Sequence, residues 1–298
     1  MPGGAPPPVP DAGAARDSAV AGARYDELAA GEGDHSHDCR DLTDGAKHDF
    51  DRCITEKIPN AVAFARQEGD ADEVGPKDVQ QMAVGDCWVM APAAALASTR
   101  DGRALIKNAI AENKDDKGVV TSYTVTLHRP EEHWWGAKTF SEVKITVDAV
   151  YAYGHAQARL AGNDHEVWPV VLEKAFAEYL GGYNKLHQGA SAARAMELLT
   201  GKEAETIRFG WMTSYGPERL TSDLAAGKLV VFDTKPGLDE NGPYRLLEHH
   251  AYEAAGTVMV DGNLCVALHN PWGNPEPRPV PFDQLKNWFA AVDVGAVR

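Results

Sequence analysis

The chain has 298 residues, 44% of them hydrophobic, with seven tryptophans and a formal net charge of −15. That length admits one large domain or two small ones, and that apolar content is enough for a proper core. The acidic balance argues against nucleic acid as a partner, because neutralising phosphates takes clustered Lys and Arg, and it disfavours anionic membrane.

No run of 18 apolar residues is present, so no membrane span is predicted. The N-terminus has neither the basic nor the apolar region of a secretory signal, which points to the cytoplasm or to export by another route. Four cysteines (Cys39, Cys53, Cys87, Cys265) are too few for a disulfide scaffold. Cys39 and Cys53 could pair in an oxidising compartment, whereas Cys265 sits in an apolar, strand-like run and reads as core.

Residues 1–24, rich in Pro, Gly and Ala, read as a disordered tail or linker. Residues 25–70 form an N-terminal segment of unassigned role. It carries His35, His37, Cys39, His48 and Cys53, whose spacing matches no common zinc pattern. Within it, 54–66 is predicted to be a short amphipathic helix.

Gln81-Met-Ala-Val-Gly-Asp-Cys87-Trp88 follows, running into an Ala-rich apolar stretch that reads as a buried helix. A cysteine in a first helical turn feels the positive end of the helix dipole, which predicts a lowered thiol pKa and a nucleophilic thiolate. Gly85 is expected to permit a tight turn. A second helix is predicted over 104–113, then two strands over 122–128 and 141–147, where apolar and polar residues alternate. Residues 166–179 place Trp168, Val171, Leu172, Ala175, Phe176 and Tyr179 on one helical stripe, and Gly181-Gly182 ends it. Thr200-Gly201 marks a hinge. Beyond it the chain is mostly strand (229–232, 250–258, 263–269, 291–297), interrupted by a helix over 220–226.

Two further stretches join the cysteine: His249-His250-Ala-Tyr252 and His269-Asn270-Pro-Trp272-Gly273. Thiol, then histidine, then asparagine is the chain order of papain-type cysteine proteases, in which the asparagine orients the histidine. The neighbouring residues are more specific. Gln-x-x-x-Gly-Asp-Cys-Trp, His-Ala-Tyr and Asn-Pro-Trp-Gly, together with the 166–179 segment, resemble the catalytic core of the calpains from about Gly75 to the C-terminus.

That resemblance implies an α+β, papain-like core of two lobes, a helical one over 71–202 and a β-rich one over 203–298. It implies a cysteine endopeptidase acting on polypeptides. Cys87 is the expected nucleophile, His250 the acid/base and Asn270 its orienter, with Gln81 in the oxyanion hole. His249 is the rival to His250; on a strand the two would face opposite ways, and Ala-Tyr follows His250 as in the family. Trp88, Trp272 and Gly189 are expected to shape the site, Trp272 by covering the His–Asn pair and Gly189 by letting a substrate backbone approach. Asp78 and Glu166 align with two calcium ligands of the family's first lobe, so the resemblance makes calcium a candidate ion that the chemistry does not require. Read without it, Asp78 is a loop carboxylate and Glu166 a helix N-terminal acid. Composition suggests a bacterial member. The same residues could instead serve a thiol acyltransferase or deamidase, or remain in a binding module masked by residues 1–70.

Overall fold

The computed structural model describes residues 49–66, 69–134, 136–152, 155–156, 159–161 (backbone only), 164–210 and 215–298. The expectations for the 1–24 tail, for His35, His37, Cys39 and His48, and for a Cys39–Cys53 pair fall outside those residues.

In place of the predicted 54–66 helix lie two short strands, β1 (Thr55–Glu56) and β2 (Ala61–Val62). Asn60 between them has a left-handed φ of 51°, and Pro59 beside it removes a backbone donor, so no helix can run through. β1 pairs with β6 (Tyr151–Ala152). β2 pairs in parallel with β8 (Asp164–Glu166), which also pairs with β7 (Arg159–Ala161).

α1 (Cys87–Ser98) has every residue from Trp88 to Ala97 buried. A helix apolar on all sides needs neighbours on all sides. α1 packs against α2 (Arg100–Ala109), α3 (Trp168–Leu180) and α5 (Ala192–Thr200), and also against β10 (Leu229–Thr234) and β11 (Ala251–Val260). α2 is capped by Thr99, whose hydroxyl accepts the Gly102 N–H, and gives way at Ile110 to β3 (Ile110–Lys114), so the helix expected over 104–113 is displaced toward the N-terminus. β3 pairs with β4 (Val120–Glu132), and β4 with β5 (Lys138–Asp148). α3 ends at Gly181, with φ 90°, and α4 (Tyr183–Leu186) follows.

After α5 the chain enters a six-stranded antiparallel sheet, ordered β13-β12-β11-β10-β14-β9. Its new members are β9 (Ala204–Arg208), β12 (Asn263–His269), β13 (Val280–Pro281) and β14 (Phe289–Gly295), with α6 (Pro217–Ala225) and α7 (Leu285–Trp288) beside it. β10 explains why its sequence, Leu-Val-Val-Phe, does not alternate. Leu229 and Val231 join the apolar cluster around α1, α3, α5 and β4, while Val230 and Phe232 join a second cluster with Tyr252, Val266, Phe289 and Val292. A strand covered on both faces is apolar throughout. No helix among the described residues is long and apolar enough to cross a membrane.

Candidate active site

Cys87 is the first residue of α1, and its Sγ lies 3.9 Å from the His249 carbonyl. At that position the Cys87 N–H has no acceptor within the helix. The helix dipole does not lower the pKa of this thiol at rest. Burial pushes it up to about 12, helped by the Asp86 and Asp233 carboxyls and opposed by the Ala251 backbone. Desolvation of the charged form outweighs the helix end.

The two histidines are separated by a turn, not by strand alternation. His249 takes a left-handed φ of 49° and is exposed, and β11 begins only at Ala251. His250 is buried beside Asn270, its Nε2 2.9 Å from Asn270 Oδ1. The orientation of the Asn270 amide follows from its other bonds: Nδ2 donates to the Pro275 carbonyl (2.9 Å), and Oδ1 accepts the Trp272 N–H (3.1 Å). Oδ1 therefore accepts from His250, which places the imidazole proton on Nε2 and leaves a lone pair on Nδ1. Burial lowers His250 to about 4, with Asn270 opposing. Thiol and imidazole are thus both neutral at rest, and no hydrogen bond joins them.

Two residues that the sequence reading passed over hold this pair. Thr234 Oγ1 accepts the His250 N–H at 2.8 Å, and the Thr234 N–H returns to the His250 carbonyl at 2.9 Å. Glu276 grips the far side: Oε2 accepts the Asn270 N–H at 2.8 Å, and Oε1 meets His269 Nδ1 at 2.6 Å. His269 also contacts the Pro76 carbonyl. Burial works against its charge, but Glu276 and Glu253 outweigh that and raise it. A Thr or Glu outside any motif gives no sequence signal for such a role.

Gln81 is buried, its N–H donating to the Pro271 carbonyl (2.8 Å) and its Nε2 to the Val84 carbonyl (2.8 Å). Trp272 is half exposed, its ring 5.3 Å from that of His250 at 69°. Trp88 is buried, edge-on to Phe176, and donates from Nε1 to the Leu186 carbonyl, which ties α1 to the loop bearing Gly189. Gly189 has a φ of 76° and open space where a Cβ would stand. Gly85, by contrast, has no positive φ. A Cβ there would come within 3.1 Å of both Nδ1 and the carbonyl oxygen of His187, so it is close approach that favours glycine.

Asp86, immediately before Cys87, is fully buried, and both carboxyl oxygens lack a hydrogen-bond partner among the described residues. Burial raises it to about 8; its own backbone and the Gln81 amide, the latter outside hydrogen-bond geometry, oppose this only in part. Glu173 is buried too and raised by burial and by Asp86. The folded state holds the Asp86 proton up to about pH 8, whereas an unfolded aspartate loses it near 4. The stability from this site is therefore complete below about pH 4 and declines as the pH rises toward 8. Asp86→Asn should flatten the fall of Tm over that range; a variant whose Tm falls as steeply as wild type contradicts the assignment.

Asp78 and Glu166 are both buried. Asp78 Oδ2 accepts from the Gly75 N–H (2.6 Å) and Trp168 Nε1 (3.3 Å), and Glu166 Oε1 from the Ala65 N–H (3.2 Å). Glu166 lies in β8, not at the start of α3. These are hard oxygen donors of the kind calcium takes. No group of three or more His, Cys, Asp or Glu side chains is gathered for a metal among the described residues. Other oxygen donors, backbone carbonyls or water among them, would complete any shell.

The profile of the calpain family cysteine proteases matches residues 55–293. The chain belongs to the calpain family. It is 30% identical to human "Calpain-9" over 243 residues, covering 73% of this chain and 33% of that protein. "Calpain clp-1" of Caenorhabditis elegans is 26% identical over 227 residues (72% of this chain, 27% of that protein). "Calpain-B" of Drosophila melanogaster is 29% identical over 236 residues (71% and 23%). The chain thus spans about a third or less of the length of these relatives. The mixed architecture described above is that of a calpain protease core, and Gln81, Cys87, His250 and Asn270 all fall inside the matched stretch.

Proposed function

We propose that this calpain-family chain is a cysteine endopeptidase acting on polypeptides. The observation that carries the reading is the His250–Asn270 pair, whose tautomer leaves Nδ1 free to take a proton, together with a cysteine at a helix start whose Sγ lies 3.9 Å from the carbonyl of His249, the residue before His250. Substrate drives the Cys87–His250 contact closed, since catalytic hydrogen bonds tighten in the Michaelis complex. His250 Nδ1 then takes the Sγ proton as sulfur attacks the peptide carbonyl. The resulting imidazolium protonates the leaving amine, giving a Cys87 thioester that water hydrolyses with His250 again as base. Gly189 gives an extended substrate room to pair, and Trp272 shields the histidine.

The oxyanion is met by the Cys87 N–H and by Gln81 Nε2, which exchanges the Val84 carbonyl for the developing charge. Gln81→Ala is expected to lower kcat by roughly 100- to 1000-fold with little change in KM. A variant altered in KM alone contradicts that role.

Asp78 and Glu166 are the candidate calcium ligands. Bound calcium would tie the segment before α1 to β8, and no step of the chemistry runs through it. The test is hydrolysis of a fluorescent casein with calcium and with chelator, plus the calcium-induced Tm shift of wild type and Asp78→Asn. Cleavage abolished by Cys87→Ala supports the protease. A calcium-induced Tm shift absent from Asp78→Asn supports the ion, and cleavage and Tm that are both indifferent to chelator remove it.

A further inference from the structure

The family match begins at residue 55, yet a segment before it reaches the nucleophile loop through one intermediary. Residues Phe50–Arg52 form a 3-10 turn whose Phe50 is 1% exposed. The Phe50 N–H donates to Asn184 Oδ1 (2.9 Å), and Asn184 Nδ2 donates to Asp49 Oδ1 (2.6 Å). Asp51 Oδ1 accepts the Tyr183 N–H at 2.5 Å, just past Gly182, where a Cβ would lie only 2.6 Å from the same oxygen. The strap therefore ties the start of α4 at Tyr183 and Asn184 by side-chain bonds.

α4 leads directly into His187. The Phe50 ring lies against the His187 imidazole, with centroids 4.5 Å apart. His187 Nδ1 accepts the Gly85 N–H at 2.8 Å, and Gly85 stands two residues before Cys87. The Val84–Asp86 stretch next to the thiol is thus tied to two side chains outside it, at the Val84 carbonyl by Gln81 Nε2 and at the Gly85 N–H by His187 Nδ1.

We propose that His187 is a positioning residue for the nucleophile loop, and that the strap Asp49–Arg52 is the brace that holds His187 in place. This deepens the protease reading and rests on it. His187 touches no reacting atom; it acts through the Gly85 amide. Without that acceptor the loop loses its fixed presentation of Cys87 and of the oxyanion donors. A displacement of this kind, on the order of 1 Å, costs about 100-fold in rate.

The test uses the full chain carrying His187→Ala, His187→Asn or Phe50→Ala, and reads two quantities. The first is kcat and KM on a casein-derived peptide. The second is the rate at which iodoacetamide alkylates Cys87, followed by peptide mass; Cys265, free and buried, is the internal reporter of unfolding. His187→Ala should lose about 10- to 100-fold in kcat with KM within about twofold. Its Cys87 should alkylate faster, because a loosened loop lets water reach the thiol, while Cys265 stays protected. His187→Asn, whose Oδ1 can accept the same N–H, should recover most of both values, and Phe50→Ala should shift kcat in the same direction as His187→Ala.

Wild-type kcat and alkylation in His187→Ala overturn the proposal. So does an Asn variant as impaired as the Ala variant with Cys265 protected. Should His187→Ala unfold, exposing Cys265, the Asn variant alone decides. Alkylation needs no peptidase substrate, so the brace remains testable even if Cys87→Ala shows that cleavage does not depend on this thiol.

Discussion

Cys87→Ala is expected to reduce peptide hydrolysis to background, a loss of order a million-fold, as replacement of the nucleophile does in other acyl-enzyme proteases. The size follows from the mechanism: without Sγ no thioester forms, and the remaining groups can only stabilise a charge that never develops. Substrate affinity should hardly change, because the side chain is small and lies at the end of a helix that the rest of the fold holds in place. The fold should also survive, since α1 is fixed by the buried residues Trp88 to Ala97 rather than by the half-buried thiol. Kinetics and thermal unfolding of the purified variant check both points, and a Cys87→Ala protein retaining a tenth of wild-type kcat would remove Cys87 from the chemistry.

His250→Ala carries the second largest effect, a fall in kcat on the order of 100- to 10,000-fold, the range for a lost general acid–base. It should be accompanied by a change in pH profile. His250 is held near 4, below an ordinary imidazole, by burial. In the proposed mechanism the neutral ring accepts the Cys87 proton, so wild-type kcat/KM should hold as the pH falls through about 6.5 and drop only as it nears about 4. The residual activity of His250→Ala should lack that acid limb. A wild-type limb at an ordinary histidine pKa would mean that the free enzyme keeps the ring solvated, against the buried position described here. His249→Ala, by contrast, should cost little, because that side chain is exposed.

Much of this was legible in the residues, for reasons that differ from element to element. The 166–179 stripe survives as α3 because Trp168, Val171, Leu172, Phe176 and Tyr179, with Ala175 between them, form one apolar face that outweighs any local alternative, and Gly181 supplies the left-handed cap. The 263–269 strand has the predicted bounds because β12 ends where Asn270 turns the chain. Where the reading failed, the deciding term was tertiary. The pattern over 54–66 suggested a helix, but the parallel pairing of β2 with β8 draws those residues into strands.

The helix dipole at Cys87 is a local quantity read correctly from the sequence. What overrides it is burial under β10 and β11 with two acids nearby, which no spacing reveals. Gly85 was read as a turn glycine; the reason for glycine there is a histidine 102 positions away. Thr234 and Glu276 were missed for the same cause, because their roles exist only once β10, β11 and the loop after β12 are assembled.

The most direct measurement is mass spectrometry of a protein pool incubated with wild type and with Cys87→Ala. The account predicts new chain termini in the wild-type sample alone, with glutamine side chains unaltered. Intact chains bearing glutamines shifted by about one dalton or cross-linked, or new termini equally abundant with Cys87→Ala, would contradict it: the first would make the thiol a deamidase or acyltransferase, and the second would place the cleavage elsewhere.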